Sequence, residues 1–147
     1  MKERRCPQCG QGLIRLVAKR GRKMRYKNIE LSIPSEIEIP TCAHCGEQWM
    51  GEDTLNAVDR ALEHEYFALL RQRAIQLVAR IRREVPIGRL EQAIGVSRGY
   101  FSRLQDEGKN PSAQLVGELA MLAKKPKARL RELEAAWEEV ARSRKVG

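Results

Sequence analysis

Cys6-Pro7-Gln8-Cys9-Gly10, near the start of the chain, is answered by Cys42-Ala43-His44-Cys45-Gly46, and these stretches hold the only four cysteines among 147 residues. A Cys-x-x-Cys knuckle turns the backbone so that two sulfurs face one ion, and a tetrahedral Zn²⁺ site takes four thiolates. The glycine after each pair suits a tight turn that needs positive φ and close backbone approach. Cys6, Cys9, Cys42 and Cys45 are therefore the expected metal ligands, with a structural Zn²⁺ as the cofactor. Iron uses the same four thiolates, and a pair of disulfides is the remaining alternative. A dithiol redox centre needs one pair only, at a helix start in a βαβ setting, and that pattern is absent. His44 reads as a bystander.

The chain carries 28 Lys and Arg against 19 Asp and Glu, a formal charge of +9 that points to a polyanionic partner, most economically nucleic acid. The densest basic run is Lys19-Arg20-Gly21-Arg22-Lys23-Met24-Arg25-Tyr26-Lys27. No apolar run is long enough for a membrane span, and the first residues lead straight into a metal ligand with no signal-peptide core. Reduced thiols holding metal fit a cytoplasmic location. Four thiolates close a metal site and leave no position for water. No Ser/His/Asp or paired-carboxylate constellation accompanies them, so a binding protein rather than an enzyme is expected.

Between the knuckles the pattern is that of strands. Leu13 to Ala18 is a short apolar run, Gly21 marks a hairpin turn, and Met24 and Tyr26 alternate with Arg25 and Lys27 on a return strand. Glu36-Ile37-Glu38-Ile39 supplies a third strand, bracketed by Pro34 and Pro40. The expectation is a three-stranded sheet pinned by metal, dependent on the ion for its folding.

From Glu52 to Val85 there is neither Pro nor Gly, and Leu55, Val58, Leu62, Tyr66 and Leu69, then Leu70, Ala74, Leu77, Val78 and Ile81, recur at helical spacing. One long helix or two run together follow, with Asp53 or Thr54 as N-cap and Pro86 as terminator. Leu90 through Leu104 reads as helix, turn, helix: Gly95 gives the turn its positive φ, Val96 plugs the angle and Ser97 caps the second helix. Phe101 and Leu104 then face inward, leaving Arg98, Tyr100, Ser102 and Arg103 outside. The loop Gly108-Lys109-Asn110-Pro111-Ser112 comes next, Ser112 capping a helix through Leu122, and Pro126 opens a last helix carrying Leu130, Leu133, Trp137 and Val140. The fold expected is mainly α with a small β zinc-binding module: a zinc finger over 1–50, a connecting helix over 51–69, and a five-helix helix-turn-helix domain over 70–147.

Leu90 to Leu122 resembles the Cro/C1 (XRE-type) helix-turn-helix family. Cys-Pro-x-Cys-Gly, through Ile33-Pro34, to Cys42-x-x-Cys45-Gly46-Glu47 resembles the YgiT-type zinc finger. That order is similar to the MqsA antitoxin family over nearly the whole chain. The resemblance implies a homodimer built through the C-terminal domain that represses its own operon on double-stranded DNA, a toxin protein bound by the N-terminal domain, and zinc in a structural role. It implies a base contact for Arg103, in Phe101-Ser102-Arg103, and places Ser97, Arg98, Tyr100, Ser102, Lys109 and Asn110 at the DNA surface. Three positions depart from the family's pattern: Gly99 replaces a DNA-reading Asn, Ile87 replaces a phosphate-touching Gln, and Glu91 stands where a small residue is usual. A protein-binding adaptor that keeps the helix-turn-helix as a scaffold is the alternative. An RNA-binding ribbon using 19–27 is a third reading, with only Tyr26 near for base stacking.

Overall fold

In the computed structural model, which describes residues 4–106 and 109–144, five short antiparallel strands precede four α-helices. Gly108 of the expected loop lies outside the described residues. The chain divides into two units, Met1–Tyr66 and Phe67–Gly147.

In the first unit β1 (Arg4–Arg5), β2 (Leu13–Val17) and β5 (Ile39–Cys42) form one sheet in the order β1-β2-β5. β3 (Lys23–Tyr26) and β4 (Ile29–Ser32) form a separate two-stranded ribbon. The sheet has three strands as expected, but two of them are different ones. The return strand after Gly21 does not pair with β2; it pairs with β4, Tyr26 opposite Ile29 and Met24 opposite Leu31. The hairpin turn is Lys27-Asn28, with Lys27 itself in the left-handed region at φ 51, uncommon for a residue other than glycine. Residues 36–38 are not strand, and Pro40 lies inside β5 opposite Leu16. β5 is an edge strand of its sheet, where the missing proline N–H is tolerated.

The first half of α1 (Glu52–Ile81) completes this unit's core: Val58, Leu62 and Tyr66 are buried, as are Leu31, Ile33 and Ile39. Tyr66 donates its hydroxyl to Asn28 Oδ1 at 2.9 Å and meets the Tyr26 ring edge-on at 5.5 Å, fastening the ribbon's turn to the helix. Lys27 Nζ lies 5.1 Å from the Tyr66 ring centroid, within cation–π range. Leu55 and Leu69, expected in the apolar stripe, are exposed at 45% and 40%. α1 is a single 30-residue helix that starts at Glu52, ahead of Asp53 and Thr54.

The second unit packs the rest of α1, α2 (Ile87–Ile94), α3 (Ala113–Leu122) and α4 (Pro126–Ser143) around one apolar cluster centred on Ala74, Ile81, Leu90, Leu104, Leu119 and Leu130. Ser112 caps α3 by accepting from the Leu115 N–H at 3.1 Å, and Pro126 opens α4, as their residue types suggest. α4 is fastened to α2 by Trp137, whose Nε1–H donates to the Ala93 carbonyl, and by a bidentate Arg89–Glu134 pair at 2.7 Å. The hydrogen bonds from Arg89 hold the Glu134 carboxyl below the usual carboxylate range.

The expected fifth helix is absent among the described residues. Residues 98–101 are turn, followed by a 3₁₀ helix over Ser102–Gln105. Gly99 is the cause: at φ +79 it is left-handed, which interrupts an α-helix wherever it falls. Phe101 and Leu104 nevertheless point into the core, at 5% and 0% exposure.

Leu119→Ala, at a fully buried position, is expected to cost about 2–5 kcal/mol in urea unfolding followed by circular dichroism. Met121→Ala, two residues along and half exposed, is expected to stay within about 0.5 kcal/mol of the parent.

Candidate functional site

Strand register brings the two knuckles together. β1 ends one residue before Cys6, with Arg5 opposite Leu13, and β5 ends on Cys42, opposite Ile14. Both knuckles thus emerge at the same end of β2. The first is closed by Cys6 N–H to the Gly12 carbonyl and Gly10 N–H to the Cys6 carbonyl; the second by Gly46 N–H to the Cys42 carbonyl. Gly10 and Gly46 take φ 68 and 75, the conformation their place after each pair calls for.

The four sulfurs lie within 4.8 Å of one another, with Cys6 to Cys45 and Cys9 to Cys42 both at 3.7 Å. Thiolates about 2.3 Å from a tetrahedral ion are separated by about 3.8 Å, so this donor set fits a Zn²⁺-sized ion. Backbone amides supply the outer shell. Cys9 N–H points to Cys6 Sγ and Gly12 N–H to Cys9 Sγ, both at 3.4 Å; His44 and Cys45 N–H point to Cys42 Sγ at 3.4 and 3.5 Å. Those amides drive the charge state. The Gly12 N–H foremost, with Gln11, pulls the Cys9 thiol down to about 6, and the Cys45 N–H foremost lowers Cys42. At Cys45 the Glu47 amide also pulls downward, but burial and the three neighbouring sulfurs prevail and push it up to about 12. The four cysteines are grouped closely enough to hold a metal ion. His44 is exposed and outside the ligand set.

Gly12 is a site residue that the cysteine spacing does not reveal. A Cβ there would overlap Cys42 Sγ and lie 2.7 Å from His44 Cβ. Its signal is local: a second glycine two residues after the knuckle glycine, immediately before a strand.

In the second unit, Ser97, Arg98 and Ser102 are exposed while Tyr100 and Arg103 are half-buried. Ser97 does not cap a helix; its Oγ accepts from Arg103 Nη2 at 2.9 Å. Arg103 Nη1 donates to the Arg98 carbonyl at 3.2 Å, and Ser102 Oγ donates to the Gly99 carbonyl at 2.8 Å. Glu91, the one buried charged residue among the described residues, accepts the Gly99 N–H at 2.9 Å on Oε2. Lys109 and Asn110 are exposed and anchored by Arg71 of α1, which donates to the Lys109 carbonyl and, at 2.8 Å, to Asn110 Oδ1. The sequence carried no sign of Arg71 in this role, since the contact spans nearly forty residues. A cleft of about 570 Å³ opens beside the turn, its lining including Val78, Ile87 and Phe101 with Arg82, Glu91 and Arg98.

Comparison with protein-family profiles and with curated proteins gave no match for this chain. No helix among the described residues is long and apolar enough to cross a membrane.

Gly12→Ala is expected to lower metal retention sharply. Elemental analysis after dialysis against a chelator should find about one bound ion per parent chain and well under half of that in the variant.

Proposed function

We propose that this protein is a zinc-stabilised, dimeric DNA-binding regulator, an antitoxin-like repressor of its own operon. The observation carrying the reading is the segment from α2 through Gln105. Phe101 and Leu104 root it in the core, while Arg98, Ser97 and Ser102 stand on its outer side, the division of labour of a helix-turn-helix reader. Net charge supplies the non-specific attraction to phosphate. Zn²⁺ is the occupant we assign to the four sulfurs, on ligand type and tetrahedral spacing. Its role is to hold the first unit folded, because four protein thiolates leave no site for substrate.

Dimerisation is supported by α4. Its buried Leu130 and half-buried Leu133 continue into Trp137 and Val140, exposed at 51% and 59%, an apolar stripe flanked by the small Ala136 and Ala141. A second copy of this helix is the partner such a seam suits. For the toxin partner, the first unit offers exposed Leu16 on β2, opposite Pro40.

A second reading is favoured by one observation. Four residues of 3₁₀ helix after a turn present side chains differently from the α-helix that usually enters a major groove. A protein-binding adaptor retaining this domain as scaffold has no need of that helix.

The deciding experiment titrates the protein with duplex DNA from immediately upstream of its own gene, and with a scrambled duplex, at two salt concentrations. Tighter binding to the native duplex that persists at higher salt is the expected result. Equal, salt-sensitive binding to both overturns DNA reading in favour of the adaptor. For the dimer, Val140→Glu is expected to shift sedimentation to that of a single chain while leaving the circular dichroism spectrum unchanged.

A further inference from the structure

Three of the five polar side chains expected on the DNA-facing segment, Ser97, Ser102 and Arg103, make hydrogen bonds within the turn itself. The Arg103 guanidinium spans Ser97 Oγ and the Arg98 carbonyl. Ser102 closes on the Gly99 carbonyl, and the backbone N–H of Arg103 reaches the carbonyls of Gly99 and Tyr100 at 3.2 Å each. From the other side, the buried Glu91 carboxylate takes the Gly99 N–H. One end of the guanidinium also lies close to Gly99: a Cβ there would come within 2.9 Å of Arg103 Nη1. Glu91, Gly99 and Arg103 thus form one clamp that fixes the backbone of 97–100. Arg98, whose own carbonyl Arg103 holds, carries an exposed side chain.

We infer that Arg103 is a positioning residue for DNA reading rather than a base reader, and that Arg98, presented by the Glu91–Gly99–Arg103 clamp, is the residue that determines base specificity. The inference rests on the DNA-binding reading above and reverses the role that family resemblance gives to Arg103. A guanidinium that reads guanine must turn two of its five N–H donors toward the base edge. That of Arg103 is held against its own turn by one bond from each terminal nitrogen, to Ser97 Oγ and to the Arg98 carbonyl, and reaching a base means giving those bonds up. A left-handed glycine with a carboxylate on its amide is a fixed bend, so a side chain one residue before it leaves the surface in a set direction.

The test uses the full chain and a randomised duplex pool. Wild-type protein selects its preferred sequence from the pool, and duplexes with each base pair substituted are then titrated with wild type, Arg98→Ala, Arg103→Ala and Arg103→Lys. Amide hydrogen exchange across residues 97–103 is measured on the free proteins. Arg98→Ala is expected to flatten the preference at one or two base pairs by about five-fold or more. Both Arg103 variants are expected to weaken every duplex alike, with the base-pair profile unchanged, and to speed exchange of the turn amides by about ten-fold. Lysine fails to rescue because its single ammonium lacks the planar fork. If Arg103→Ala erases the preference at a base pair while turn exchange stays at the wild-type rate, Arg103 is the reader and the proposal is overturned. If wild type enriches no sequence, the DNA reading itself fails and the assignment of Arg98 falls with it. The exchange rates of the free Arg103 variants still decide the clamp in that case, unchanged rates refuting it.

Discussion

Four sulfurs from opposite ends of a forty-residue segment must meet within the reach of one ion, and the first unit is arranged around that demand. The pairing of β2 with both β1 and β5 is what satisfies it, because this register delivers Cys6 and Cys42 to the same end of one strand. The apolar complement is small: Leu31, Ile33 and Ile39 with Val58, Leu62 and Tyr66. A core of that size is marginal alone. An ion held by the four sulfurs would add its binding energy to the folding of this unit, and the amide-to-sulfur bonds that lower the Cys9 and Cys42 thiols favour the charged form such an ion needs.

The second unit follows a different logic, with no covalent or metallic anchor among the described residues and an ordinary apolar cluster that fixes its helices. Its unusual investment is electrostatic. A carboxylate at 4% exposure is costly unless its hydrogen bonds are met. At Glu91 the compensating donor is the backbone amide of Gly99, released by the same left-handed turn that ends helical continuity. Two residues that look like isolated departures from a helix-turn-helix pattern are partners in one interaction.

Much of this was legible in the chain. Cysteine spacing announced the four-sulfur cluster, the glycines after each pair the knuckle turns, Ser112 and Pro126 the starts of two helices, and the placing of Phe101 and Leu104 their burial. Strand pairing was not legible, since alternation marks a residue run as strand without naming its neighbour. β2 therefore acquired a local partner on paper and a distant one in the structure. The exposed Leu55 and Leu69 share the helical period of the core and could not be distinguished from it by spacing. Gly99 was the costliest misreading, because a glycine inside a helical pattern carries no mark of whether it is tolerated or left-handed; its partner on the preceding helix settles that, and the partner is eight residues away.

The clamp also constrains how this sequence can change. A small residue at Glu91 would strand the Gly99 amide, and any side chain at Gly99 must adopt φ +79 against the Arg103 guanidinium. Positions 91, 99 and 103 are therefore coupled, and the effect of a change at one depends on what stands at the other two. The shape of an exposed turn is set from beneath, by a contact that most of its outward side chains do not make.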